Sequence, residues 1–233
     1  MDIRPAAVMK WRDLTSIDRA LLFISIFAGI YYLIAPFAIP SEIRHYGYLN
    51  PIMKGLSVAP LALIAFHIQR DLSGVLLGLA LAFGSLGDVL LERRGLFVYG
   101  LISFLVGHLF YIALWAKHLK ASAVPSSRKL VIAVLAIFLV LMLWWQLPVP
   151  GLSVPLTVYM CVLTLMAVLA TAANLRGNWV MIGAVLFLIS DSLIGIERFK
   201  HLIGGHTAGV SIWSTYYLAQ YLLAFGYLGN SRK

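Results

Sequence analysis

The chain has 233 residues, 61% of them hydrophobic and only 12% charged, with a mean hydropathy of +0.92. A soluble domain carries about 45–50% apolar and about 25% charged residues, so this composition excludes a soluble globule and makes the bilayer part of the solvent. The net charge of +9 reads as the positive-inside bias of a membrane protein, not as a nucleic-acid surface, because the basic residues sit at the ends of apolar runs instead of in one patch.

A helix of about 20 apolar residues crosses a hydrocarbon core of about 30 Å. Residues 1–19 form a basic segment ahead of the first such run, 20–39. That run is too long for a signal-peptide core and lacks a small-x-small cleavage site, so it is expected to be a retained span. The second run, 51–67, is the weakest, because Lys54 and Pro60 interrupt it. Glu92-Arg93-Arg94-Gly95 separates the third and fourth runs, 72–91 and 96–116. The fifth and sixth, 129–147 and 153–173, meet at Pro148-Val149-Pro150-Gly151, and Arg176-Gly177-Asn178 precedes the seventh, 178–196. The eighth, 208–228, completes a transmembrane domain over 20–229, with 230–233 as a short tail. The expectation is an all-α integral membrane bundle of about eight transmembrane helices. The loops are too short for a soluble domain, so any site lies within the bundle.

Of the 18 lysines and arginines, twelve fall on the side of the N-terminus, five on the other, and Lys54 inside a span. This asymmetry predicts cytoplasmic termini, in the inner membrane if the source is bacterial. Two stretches suggest a four-plus-four repeat: Leu81–Arg93 (LAFGSLGDVLLER) and Val185–Arg198 (VLFLISDSLIGIER) each end an apolar helix in Asp, an apolar stretch and Glu-Arg. The single cysteine, Cys161, forms no intrachain disulfide and is expected to be a buried, inert thiol.

Ionisable groups inside spans cost about 2.5–3.5 kcal/mol each on insertion scales, so they persist when paired, hydrated or functional. Here they are Lys54, Asp88, His108 and Asp191, with Glu92 and Glu197 nearer the ends; Tyr111, Tyr216, Tyr217, Gln220 and Ser190 add uncharged polarity. At 1.5 Å per residue, Lys54, Asp88, Asp191 and the two tyrosines fall at overlapping heights in the half opposite the termini, with His108 nearer the midplane. One polar cavity is therefore expected. The plainer alternatives are a buried ion pair that fixes helix packing and, for His108, a satisfied core histidine. Trp144, Trp145 and Trp179 read as interfacial anchors. The sequence holds no Gly-x-Ser-x-Gly elbow, His-Glu-x-x-His, phosphate loop or dinucleotide fingerprint, and its histidines have no metal-ligand spacing.

The polar set resembles the YhhN/lysoplasmalogenase family of multi-span membrane proteins. The stretches that carry the resemblance are Lys54 early in span two, Gly84-Ser85-Leu86-Gly87-Asp88, Gly107-His108-Leu109-Phe110-Tyr111, Gly183 through Ser190-Asp191, and Tyr216-Tyr217-Leu218-Ala219-Gln220. The family often has Pro directly after the lysine; here Gly55 stands there. The resemblance implies hydrolysis of the vinyl ether bond of lysoplasmalogens to a fatty aldehyde and a glycerophospho-ethanolamine or -choline. It also implies no required cofactor. The expected partners are a lysophospholipid substrate and the bilayer, with no nucleic acid, no metal and no obligate protein partner. Vinyl ether hydrolysis needs a proton donor, an anion beside the developing cation and a base for water, roles that two carboxyls can share. Asp88 and Asp191 are the expected pair, with His108 as a base or an orienting group. Lys54, Glu92, Tyr111, Ser190, Tyr216, Tyr217 and Gln220 are the expected substrate-binding residues. The competing reading is a lipid or small-molecule transporter that uses the same buried charges as a proton or ion relay.

Overall fold

The structure is a computed structural model that describes residues 9, 11–40, 47–119 and 124–231. A short 3-10 turn over Trp11–Asp13 leads into eight α-helices: α1 (Ser16–Ala38), α2 (Leu49–Ile68), α3 (Leu72–Leu91), α4 (Phe97–Ala116), α5 (Ser126–Gln146), α6 (Ser153–Ala172), α7 (Trp179–Lys200) and α8 (Gly205–Ser231). Each coincides with one predicted span, and the described residues contain no strand. Helices α1 to α7 are long and apolar enough to cross a membrane. At 27 residues α8 is the longest helix but the least apolar. Its Ser, Thr, Tyr and Gln side chains belong to a helix that packs inside the bundle, where Trp213, Tyr216, Ala219, Gln220 and Leu223 are all buried. The protein is thus an all-α, multi-pass integral membrane bundle.

The helix boundaries follow local chemistry. Thr15 caps α1 in a reciprocal box with Asp18. Buried Asp18 also accepts a hydrogen bond from His67 Nδ1 at 2.7 Å, which ties the start of α1 to the end of α2. Asp71 caps α3 by accepting from the Gly74 N–H at 3.0 Å. Beyond α6, the Arg128 guanidinium donates to the carbonyls of Ala173 and Gly177, each at 2.8 Å, and so satisfies chain that has left the helix.

The most extensive contacts join α3 to α4 and α7 to α8. Both rest on a glycine: a Cβ on Gly107 would lie 3.0 Å from the Ala80 carbonyl, and one on Gly183 would lie 3.0 Å from the Leu223 nitrogen. Outside these, α1 packs on α2, α2 on α3, α5 on α6 and α6 on α7, while α4 packs on α6 and α8 on α2. Shifting the helix number by four maps each of these pairs onto another, whereas the lighter α1–α8 and α5–α7 contacts have no such counterpart. Helices α1 and α5 sit at the periphery, with most of their side chains outward.

The thiol expectation is corrected: Cys161 is exposed on the outer face of α6. In a membrane protein the outward face is itself apolar, so an apolar neighbourhood in sequence does not imply burial against protein. Trp144, at 79% exposure, fits an interfacial anchor. Of the charges counted for topology, Arg4, Lys10, Arg44, Lys120, Arg232 and Lys233 lie outside the described residues, as do residues 1–8 and 232–233 of the two terminal segments.

Candidate active site

The ends of α2, α3 and α7 away from the chain termini, together with the start of α8 and the latter half of α1, surround a cavity of about 240 Å³. Asp88 from α3 and Asp191 from α7 both line it and are only 2% and 8% exposed. A buried carboxyl needs hydrogen-bond donors, and each receives one from a tyrosine. Tyr216 of α8 donates to Asp88 Oδ2 at 2.6 Å, and Tyr159 of α6 donates to Asp191 Oδ2. The second oxygen of each carboxyl has no partner among the described residues, which leaves it open to whatever enters the cavity. The two carboxyls lie within electrostatic reach of each other and of Lys54.

Lys54 extends from α2 into the same cavity. Its Nζ pairs with Glu92 Oε1 at 2.9 Å and lies 5.1 Å from the Tyr32 ring and 6.0 Å from the Trp213 ring. Tyr32 donates to the same Glu92 oxygen. The lysine is therefore bound to Glu92 and contacts neither aspartate directly. Gly55, beside the lysine, lets α2 approach α3 closely. Its Cβ would collide with Val89 of α3, and its carbonyl accepts from Ser85 Oγ at 2.8 Å.

Six residues expected at a polar site line this cavity: Asp88, Asp191, Lys54, Glu92, Ser190 and Tyr216. Ser190 also donates to the Ile212 carbonyl at 2.9 Å and so joins α7 to α8. Tyr111 and Gln220 stand behind the wall as a relay. Tyr111 donates to Gln220 Oε1 at 3.0 Å, Gln220 Nε2 donates to Tyr216 Oη at 2.9 Å, and Tyr216 donates to Asp88. Gly84 makes room for this chain, since its Cβ would be 3.0 Å from Gln220 Nε2.

His108 does not line the cavity. Its Nδ1 donates to the Phe104 carbonyl at 2.6 Å, and its ring meets Phe187 and Tyr159 edge-on. Its Nε2 is buried without a partner among the described residues. Of the two tyrosines that hold the carboxyls it meets Tyr159, through a ring contact alone. Tyr217 also lies elsewhere, in a groove between α1 and α8. Sequence reasoning missed Tyr32, Tyr159, Trp213 and Arg198. The first three are neutral aromatics in apolar spans and carry no anomaly to notice, whereas Arg198 enters the sequence reading only as a topology charge and as the end of the repeated stretch. No group of three or more His, Cys, Asp or Glu able to hold a metal occurs among the described residues.

Fold and cavity together define an intramembrane protein with two buried carboxyls facing one recess of mixed polar and apolar lining. The family model that matches residues 49–227 is the YhhN family, and the chain belongs to that family. A protein named lysoplasmalogenase from Mycobacterium bovis (strain ATCC BAA-935 / AF2122/97) is 34% identical over 209 residues, covering 85% of this chain and 78% of its own. One of the same name from Mycobacterium tuberculosis (strain CDC 1551 / Oshkosh) matches to the same extent. Lysoplasmalogenase TMEM86B from Sus scrofa is 29% identical over 180 residues, covering 76% of this chain and 74% of its own. No solved structure matches the chain.

Proposed function

We propose that this protein is a membrane-embedded hydrolase that cleaves the vinyl ether bond of lysoplasmalogens. The observation that carries the reading is the pair Asp88 and Asp191, each held by one tyrosine and each with an oxygen left open to one cavity. The relatives' shared name supports the substrate class.

The chemistry follows from the substrate. One carboxyl delivers its proton to the β-carbon of the vinyl ether, and the π electrons form the new C–H bond. The resulting oxocarbenium ion lies beside the other carboxylate, as in glycoside hydrolysis. Water adds to the α-carbon and gives up a proton to a carboxylate. The hemiacetal then breaks its bond to the glycerol oxygen, which leaves with a proton as the alcohol, and the alkenyl chain leaves as an aldehyde. One water is consumed, and both carboxyls regain their starting states. Tyr216 and Tyr159 fix the carboxyls, and the Tyr111–Gln220 relay fixes Tyr216. The Lys54–Glu92 pair shapes the wall nearest Asp88.

The test is hydrolysis of lysoplasmenyl-ethanolamine by the purified protein in D2O. The proposal requires a fatty aldehyde with one deuterium on its second carbon, and no product from the saturated 1-O-alkyl analogue. Aldehyde without deuterium at that carbon, or cleavage of the saturated ether, contradicts it.

A further inference from the structure

A vinyl ether bond lies at the junction of glycerol and hydrocarbon. A substrate that places this bond between Asp88 and Asp191 must therefore send its chain out of the cavity. The structure holds a row of neighbouring hollows for it, successive ones sharing lining residues. Helix α1 packs chiefly on α2 and only lightly on α8, which leaves a seam between α1 and α8. Tyr32, Gly209 and Trp213 line both the catalytic cavity and a hollow at the top of this seam. Leu33 and Trp213 continue into a groove of about 370 Å³ lined by Ile26, Ile30, Leu218 and Tyr221. Ile26 and Tyr221 then lead to a further hollow of about 280 Å³ lined by Phe225 and, at the far end of the bundle, by Trp11 and Trp179.

The groove wall is hydrocarbon although tyrosines build it. Tyr217 donates to the Ser25 carbonyl at 2.7 Å, and the Tyr221 hydroxyl lies 2.8 Å from Ser25 Oγ. Both hydroxyls are turned inward, so the rings face the groove. Trp213 likewise donates its indole N–H to the Gly29 carbonyl at 3.1 Å. Along α8, Trp213 to Phe225 spans about 18 Å at 1.5 Å per residue. One leaflet of a hydrocarbon core about 30 Å thick is about 15 Å deep, so the seam accommodates one lipid tail. Its direction is along the bundle: the catalytic cavity is at one end, and the groove runs from it past the middle towards the end where α1 and α7 begin.

We infer that the α1–α8 seam is the hydrocarbon channel of the enzyme. The alkenyl chain of a single substrate molecule lies along Ile26, Ile30, Leu218 and Tyr221, having entered sideways from the leaflet at the cavity end. Arg198 then receives the phosphate. It lines the cavity but not the groove and has no ion pair among the described residues; its guanidinium rests 4.8 Å from the Phe97 ring. The inference rests on the hydrolase reading for the identity of the headgroup.

The test is photo-crosslinking of the full chain with an uncleavable 1-O-alkyl lysophosphatidylethanolamine carrying a diazirine at the chain end, paired with turnover assays. Crosslinks are expected on α1 and α8 around Ile26 and Tyr221, and Ile30→Trp or Leu218→Trp should remove them. These two variants should also lower the ratio of kcat/KM for a sixteen-carbon over a six-carbon alkenyl substrate at least tenfold, whereas Ile137→Trp on the outer face of α5 should not. Crosslinks spread equally over α5, or an unchanged ratio in the groove variants, would overturn the channel. If no substrate releases aldehyde, the hydrolase reading fails, and the crosslink map alone still decides the channel.

Discussion

Asp88 and Asp191 differ in which helix supplies the phenol that holds them: α8 for the first and α6 for the second. Removing either hydroxyl leaves the ring in place and frees one carboxyl oxygen. A hydrogen bond to a charged group contributes about 1.5–3 kcal/mol, so Tyr216→Phe and Tyr159→Phe are each expected to lower kcat about 10- to 100-fold. Steady-state aldehyde assays on purified variants check this. The Lys54–Glu92 pair makes a different prediction. Taking one partner from a fully buried pair costs about 3–5 kcal/mol, while replacing both with apolar residues is close to neutral; the Lys54–Glu92 pair, 13% and 22% exposed, is partly buried and lies towards the lower end. Lys54→Met should therefore lower the thermal midpoint strongly, and Lys54→Met with Glu92→Met should recover most of the loss. The aspartates and the lysine were legible in the sequence because a bilayer makes every buried charge an anomaly. Tyr159 and Tyr32 were not, since a tyrosine in an apolar span costs little and signals nothing until the helices are assembled. His108 was legible as unusual, but its hydrogen bond to its own helix at Phe104 depends on a rotamer that no sequence pattern specifies.

The helices were legible almost to their ends, because runs of apolar residues bounded by Pro, Gly, Asn and charge are what crossing a membrane requires. The less apolar α8 departs from this pattern for a physical reason: it faces other helices more than lipid, so polar side chains find partners there. Two element-level predictions follow from close packing and capping. Gly183→Leu, which drives a side chain into the α8 backbone, should separate α7 from α8 and remove Asp191 from the cavity. Its measured effect should be loss of both thermal stability and turnover. Asp71→Ala should remove the α3 cap at a cost of about 1 kcal/mol. The Gly74 N–H that Asp71 accepts holds its carboxyl below the usual carboxylate range. The cap therefore contributes fully above the unfolded value of about 4 and loses its contribution as pH falls through the lowered folded value. Thermal midpoints of wild type and Asp71→Ala should thus differ at pH 7 and converge in strong acid.

At the scale of the whole molecule, the site lies where the two halves of the chain meet: Lys54 and Asp88 come from the first four helices, and Tyr159, Asp191 and Tyr216 from the last four. The heights of these groups were legible from residue counting. Their convergence was only partly so, because it depends on α8 packing against α2 and α4 against α6, contacts between segments far apart in sequence. The α1–α8 seam had no sequence signature at all, since a groove is defined by the contact that two helices fail to make. The central claim is that Asp88 and Asp191 together perform the hydrolysis. Its most direct test measures fatty aldehyde from lysoplasmenyl-ethanolamine for the wild type, Asp88→Asn and Asp191→Asn, with thermal unfolding confirming that all three are folded. General acid–base groups contribute about 10²–10⁴-fold, so the account predicts release from the wild type and a loss of at least that order in each variant. Turnover near the wild-type rate in either folded variant would contradict it.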